Sequence, residues 1–161
     1  MALLKHLTLT GETQGAIQGS STMQGREGTI EVEALDQNLE IPADIQTGLS
    51  TGKRRHLPLR IMKKIDKASP KLFQACCTGE HMKDVTIKFF RISPKGQEEQ
   101  FFTITLNNAI IIKFHEYMLN ALDPHYTNRE DEEEILFTFE KIRLTWNPDG
   151  IEAEDSWQVP K

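Results

Sequence analysis

The chain has 161 residues, a formal net charge of −5, 27% charged and 38% hydrophobic residues, enough for one domain with a core that needs no staples. No apolar run approaches the roughly 20 residues of a membrane helix, so membrane insertion is not expected. The acidic balance argues against general affinity for nucleic acid.

Period-two alternation is the dominant signal. Leu7 and Leu9 open it, and the glycines of the string GETQGAIQG then read as a turn after a first strand. With no helix following them, those glycines have no phosphate site to build. Ile30, Val32 and Ala34 continue the alternation.

Residues 42–53 have no regular pattern, carry two glycines, and place Ile45 and Leu49 in a polar context. Loops of this length are usually functional or disordered. The basic cluster Lys53, Arg54, Arg55 and His56 follows, and reads as pairing with acidic residues of a neighbouring subunit rather than with phosphate. Alternation resumes at Leu57, Leu59 and Ile61.

A single short helix over about residues 69–78 is punctuated at both ends. Ser69 is placed to accept from the free N–H groups of a first turn, Pro70 loses no partner there, and Gly79 can take the left-handed conformation that ends a helix. Leu72, Phe73 and Cys76 then share one face, whose burial against a sheet is worth about 1.5–3 kcal/mol for each larger side chain. Cys76 and Cys77 diverge by about 100° on such a helix and are expected as free thiols, the first in the core and the second partly covered.

Val85, Ile87 and Phe89 pair in pattern with Phe102, Ile104 and Leu106 across a turn of Ser93, Pro94, Lys95 and Gly96, an antiparallel hairpin. Residues 121–134 end in the acidic run 130–134, which lacks the spaced ligands and glycine of a calcium loop and reads as a solvated turn guarding the next strand. In that strand Ile135, Phe137 and Phe139 have one parity while Ile142, Leu144 and Trp146 have the other. Either a bulge near Glu140 and Lys141 restores one buried face, or the strand is covered on both sides.

The chemistry of an enzyme is missing. His6, His56, His81, His115 and His125 are scattered without metal-ligand spacing, and neither a nucleophile elbow, a phosphate loop nor a dinucleotide fingerprint occurs. No catalytic residue, cofactor or metal is assigned.

Several strings, in order and nearly end to end, resemble the Hcp family, the haemolysin co-regulated proteins of bacterial type VI secretion machines. They are Gly11 to Gly15, GTIEVEA at 28–34, TGK at 51–53, KASP at 67–70, TGEHM at 78–82, GQEEQFFTITLNNAII at 96–111, LDP at 122–124, FEKIRLTW at 139–146 and EDSW at 154–157. The resemblance implies a mainly β protein: a small β-barrel of two antiparallel sheets with one flanking helix, a single domain over 1–161 without a fused effector. It implies hexameric rings that stack into the inner tube, partners among the spike and sheath components, and effector proteins bound in the lumen. Synthesis in the bacterial cytoplasm and secretion through the machine without a signal peptide are expected with it. The loop residues Asp44, Ile45, Gln46, Thr47, Gly48, Leu49 and Lys53 are the candidate ring-stacking element, because a monomer gains nothing by exposing Ile45 and Leu49. The competing readings are a monomeric β-barrel that binds a small ligand, which would need a concave aromatic patch from a chain only 7% aromatic, and a hydrolase with an unrecognised site.

Overall fold

The computed structural model describes residues 1–157. In chain order the strands are β1 (Lys5–Gly11), β2 (Gly15–Ile17), β3 (Ile30–Val32), β4 (Ala34–Asp36), β5 (Leu39–Glu40), β6 (Arg55–His56) and β7 (Leu59–Lys64). The helix α1 (Ser69–Thr78) follows, then β8 (His81–Ile92), β9 (Glu98–Tyr117), β10 (Glu132–Thr138), β11 (Lys141–Trp146) and β12 (Ile151–Ser156). Two antiparallel sheets result, one ten-stranded and one formed by β5 and β6 alone.

The larger sheet closes on itself. Its ladder runs β1, β8, β9, β10, β7, β4, and the segment carrying β3 and β4 supplies the last seam. Ile30 to Val32 pair with Lys5 to Leu7 of β1, whereas Ala34 to Asp36 pair with Arg60 to Met62 of β7. Glu33 sits at the corner and donates its N–H to the Met62 carbonyl at 2.8 Å. Turning that corner costs the alternation one step, so Leu35 rather than Ala34 packs against the core and Ala34 is exposed. Closure leaves no free edge within the barrel wall.

Strand β9 is long because it serves two walls. On one edge it pairs with β8 from Glu98 to Ile110. On the other it passes from β11, which covers Phe102 to Asn107, to β10, which covers Ile110 to Tyr117. Asn108 stands at the changeover with φ 50, and its side chain is tied to His81 Nδ1 at 2.6 Å and to Glu140 Oε2 at 2.8 Å. This explains the parity change: Phe139 and Glu140 interrupt the strand, and β10 and β11 present opposite parities to one core, with Phe137, Phe139 and Ile142 all buried. The bulges lie elsewhere, between Thr10 and Gly11, between Phe89 and Phe90 and between Leu136 and Phe137. The hairpin of β8 and β9 has the expected register, Val85 opposite Leu106 and Phe89 opposite Phe102.

The helix has the expected extent but a different anchor. Gly79 closes it in the left-handed region at φ 65, and Pro70 opens it, but its N-cap is Ala68. Ser69 Oγ instead accepts the Asp66 N–H at 3.0 Å and donates to Glu133 Oε1 at 2.7 Å. The buried face is Ser69, Leu72 and Ala75 with Cys76 half-buried, while Cys77 is exposed. Phe73 lies outside that face, 53% exposed and edge-on to Phe114.

The acidic run is likewise more than a solvated turn. Glu132 and Glu133 lie in β10 and are buried. Glu133 pairs with Lys63 of β7, both wholly excluded from solvent, and Asp66 Oδ1 accepts from the same ammonium at 2.9 Å. Tyr117 donates to Glu132 Oε2 at 2.9 Å, and Arg129 pairs with Glu132 Oε1 at 3.0 Å. Buried charges persist only when paired and hydrogen-bonded. This network holds the first turn of α1 to the barrel.

Candidate assembly surface

The sequence-level loop at 42–53 is an arm. Its root is the two-stranded sheet, in which Leu39 pairs with His56 and Glu40 with Arg55. Beyond the root an isolated bridge joins Ala43 to Ser50, and Thr51 donates to the Pro42 carbonyl at 2.8 Å. The tip is a built turn. Asp44 exchanges backbone bonds with Leu49 and Gly48, and its Oδ1 accepts the Gln46 N–H, each at 2.8 Å. Thr47 Oγ1 caps the Leu49 N–H at 3.4 Å, and Gly48 supplies the left-handed step at φ 72.

The seven candidate residues therefore divide by task. Asp44, Gln46, Thr47 and Gly48 shape the turn, Lys53 is exposed on the returning limb, and Ile45 and Leu49 project outward. Ile45 is 100% and Leu49 69% exposed, and Leu39 and Ile41, which sequence patterning did not single out, extend the apolar surface toward the root. The only charge in residues 41–52 is Asp44.

The basic cluster works within the chain. Arg54 pairs with Asp155 of β12 at 2.5 Å and donates to the Ser156 carbonyl at 2.9 Å, and Arg55 pairs with Glu40 across the root. Buried His56 shares Asp155 Oδ2 at 2.8 Å and lies between Trp157, stacked at 5.6 Å, and the edge of Phe139. The expected partner in a neighbouring subunit is thus replaced by Asp155, a residue 99 positions from His56 that no local pattern connects to it. Beside this clamp Leu39, Ile142, Leu144 and Ala153 line an apolar groove of about 280 Å³.

Other histidines also have local roles. His81 bonds Asn108, His125 bonds Asp123 at 2.8 Å, and His115 lies against the ring of Tyr117. His6 Nδ1 lies 2.8 Å from Thr29 Oγ1, whose own proton goes to the Arg26 carbonyl, so the imidazole donates there. Burial, with the Arg26 guanidinium nearby, holds the His6 pKa below its ordinary value, against the opposing pull of Glu31 and Glu98. On the outer face Glu154 lies between Lys141 and Arg143, which hold its carboxyl below the usual range.

Among the described residues, strands β2 and β12 each have one partner strand and lie outside the closed wall. Together with the arm they give the subunit unlike surfaces on different sides, the requirement for heterologous assembly. The family model for "Type VI secretion system effector, Hcp" matches residues 6–146, from β1 to the end of β11, the arm included. The chain belongs to the Hcp family.

The "Major exported protein" of Pseudomonas aeruginosa is 36% identical over 99% of this chain and 98% of its own length. Among solved structures, Hcp1 from E. coli EAEC 042 superposes with a TM-score of 0.86 at 34% identity, over 97% of this chain and 99% of that one. A crystal structure described as Hcp protein gives a TM-score of 0.90 at 26% identity, covering 98% of this chain and 99% of the other. Hcp proteins oligomerise into rings and form the tube of the type VI machine. The barrel, the single helix and the antiparallel ladder described above are the Hcp fold. Among the described residues, no helix is long and apolar enough to cross a membrane.

Proposed function

We propose that this chain is a structural subunit of the type VI inner tube. Six copies close into a ring, rings stack through the arm, and the stack leaves the cytoplasm through the machine, in contact with spike and sheath components. The reading is structural rather than catalytic. The observation that carries it is the arm: a turn fixed by its own hydrogen bonds that holds Ile45 and Leu49 in water. Apolar side chains held out by an ordered backbone mark a surface completed by a partner. Effector proteins ride in the lumen, where weak contacts repeated around a ring retain cargo through multivalency.

The first test is the solution mass by light scattering, with negative-stain images of the same fractions. The expected result is a mass near six chains and annular particles. A monomer over a wide concentration range overturns the tube reading in favour of a ligand-binding barrel. Within assembled protein, Leu49→Asp leaves rings intact and weakens stacking, and its breakdown to monomers would refute the role given to the arm.

A further inference from the structure

The arm needs an acceptor, and the subunit carries one at the other end of the strand on which the arm is anchored. The arm's root is clamped where β12 finishes, at Asp155 and Ser156. Where β12 begins, Ile151 pairs with Trp146, Trp146 with Phe102, and Phe102 with Phe89, so one row crosses β12, β11, β9 and β8. These residues share the parity of the core positions Ile87, Ile104 and Ile142, yet at this end nothing among the described residues fully covers them. Ile151 is 63% exposed, and Trp146, Phe102 and Phe89 are half-buried. The rings are ordered by edge-on contacts, Phe89 to Phe102 at 5.3 Å and Phe101 to Trp146 at 6.0 Å. The row is therefore a rigid apolar shelf.

Charge fits the same pairing. Lys5 Nζ lies over Phe89 at 5.2 Å, and its hydrogen bond is to the Leu3 carbonyl rather than to a carboxylate. The charge at the arm's tip, Asp44, is opposite in sign and accepts only backbone bonds through its side chain. Arg91, over Phe101 and Trp146, is already paired with Glu99 at 2.8 Å, and Asp149 takes the Trp146 indole proton at 3.0 Å. Lys5 is thus the cation the shelf leaves for a partner.

We infer that the shelf of Ile151, Trp146, Phe102 and Phe89 receives Ile45 and Leu49 from the arm of a second copy in the adjoining ring, with Asp44 meeting Lys5. The inference rests on the tube reading and places β12 along the stacking axis, so that one end of β12 in each ring meets the opposite end in the next. A contact between unlike surfaces related by a repeat along an axis does not close, and so propagates a tube.

Disulfide trapping tests it. In a Cys76→Ala, Cys77→Ala background, Ile45→Cys and Ile151→Cys are combined and the assembled protein is treated with diamide, which takes up the two electrons and two protons of each thiol pair. The expected result on a denaturing, non-reducing gel is a ladder that passes beyond six chains, absent from either single-cysteine variant, with native mass rising by whole rings. A ladder that stops at six chains with the native mass of one ring would place the arm on a neighbour within the ring and overturn the inference. So would the absence of cross-links in fractions that contain tubes. If the cysteine-free background itself forms neither rings nor tubes, the tube reading fails as well. An independent variant, Ile151→Asp, is expected to keep the ring mass and lose tubes; tubes of undiminished length would overturn the assignment.

Discussion

The foot of α1 and the tip of the arm both put side chains where a lone globule would not. At the foot, a lysine and a glutamate are sealed from water, and at the tip an isoleucine is wholly in it. The difference lies in where each finds its partners. Lys63 reaches Glu133, Asp66 and the Lys64 carbonyl within the same subunit, so its cost is met by the fold. Ile45 has no such partners among the described residues although its backbone is fully specified, and it is the proposed stacking contact that would meet its cost. An oddity satisfied inside the chain explains stability, and an oddity left unsatisfied points to a second molecule.

The comparison is broken most forcefully at the buried pair. Glu133→Ala removes the fully buried counter-charge of Lys63, leaving Asp66 and the Lys64 carbonyl as its acceptors, and takes away the acceptor of Ser69; it is expected to cost about 3–5 kcal/mol in urea denaturation. Replacing both charges, with Lys63→Met and Glu133→Leu, should recover most of that loss, which a purely steric role for Glu133 would not permit. Next in size is the arm's root. Asp155→Ala removes the shared partner of Arg54 and His56 and should cost about 1–3 kcal/mol, with faster amide exchange through residues 39–56 as the local readout.

Acid provides a smaller effect. Because the folded-state pKa of His6 is lowered, the unfolded chain binds more protons below the ordinary histidine range, so stability is full above about pH 6.5 and declines as pH falls through that value toward the folded pKa. His6→Gln should flatten this part of the pH profile of thermal unfolding, leaving the decline from carboxylates at lower pH. At the arm's tip, Leu49→Asp should change subunit stability by no more than about 0.5 kcal/mol while weakening stacking, measured as mass against concentration. A large loss of subunit stability there would mean the tip belongs to the fold after all.

Much of the fold was legible because it rests on short-range rules. Alternation at Leu7 and Leu9, at Leu59 and Ile61 and along the hairpin marks buried faces, and Pro70 and Gly79 bracket the helix where backbone sterics require. Ile45 and Leu49 stood out as apolar residues among turn formers, and they are exposed as read. The misreadings share one cause. Ser69 as a cap, residues 130–134 as a free turn, Phe73 as core and Arg54 as a partner-seeking cation are each what local pattern favours, and each is overruled by a residue distant in sequence. Ser69 meets Glu133, and Arg54 meets Asp155.

The sequence by itself determined the alternation of β1, β3, β7 and the β8–β9 hairpin, the helix and the solvent-facing tip of the arm, since those follow from side-chain period, glycine and proline stereochemistry and the cost of apolar exposure. Tertiary structure alone decided which charges pair, how β3 and β4 close the barrel, and that the arm's anchor and the aromatic shelf occupy opposite ends of β12. Such pairings depend on register between strands far apart in the chain, and period-two patterning carries no information about which strand lies next to which.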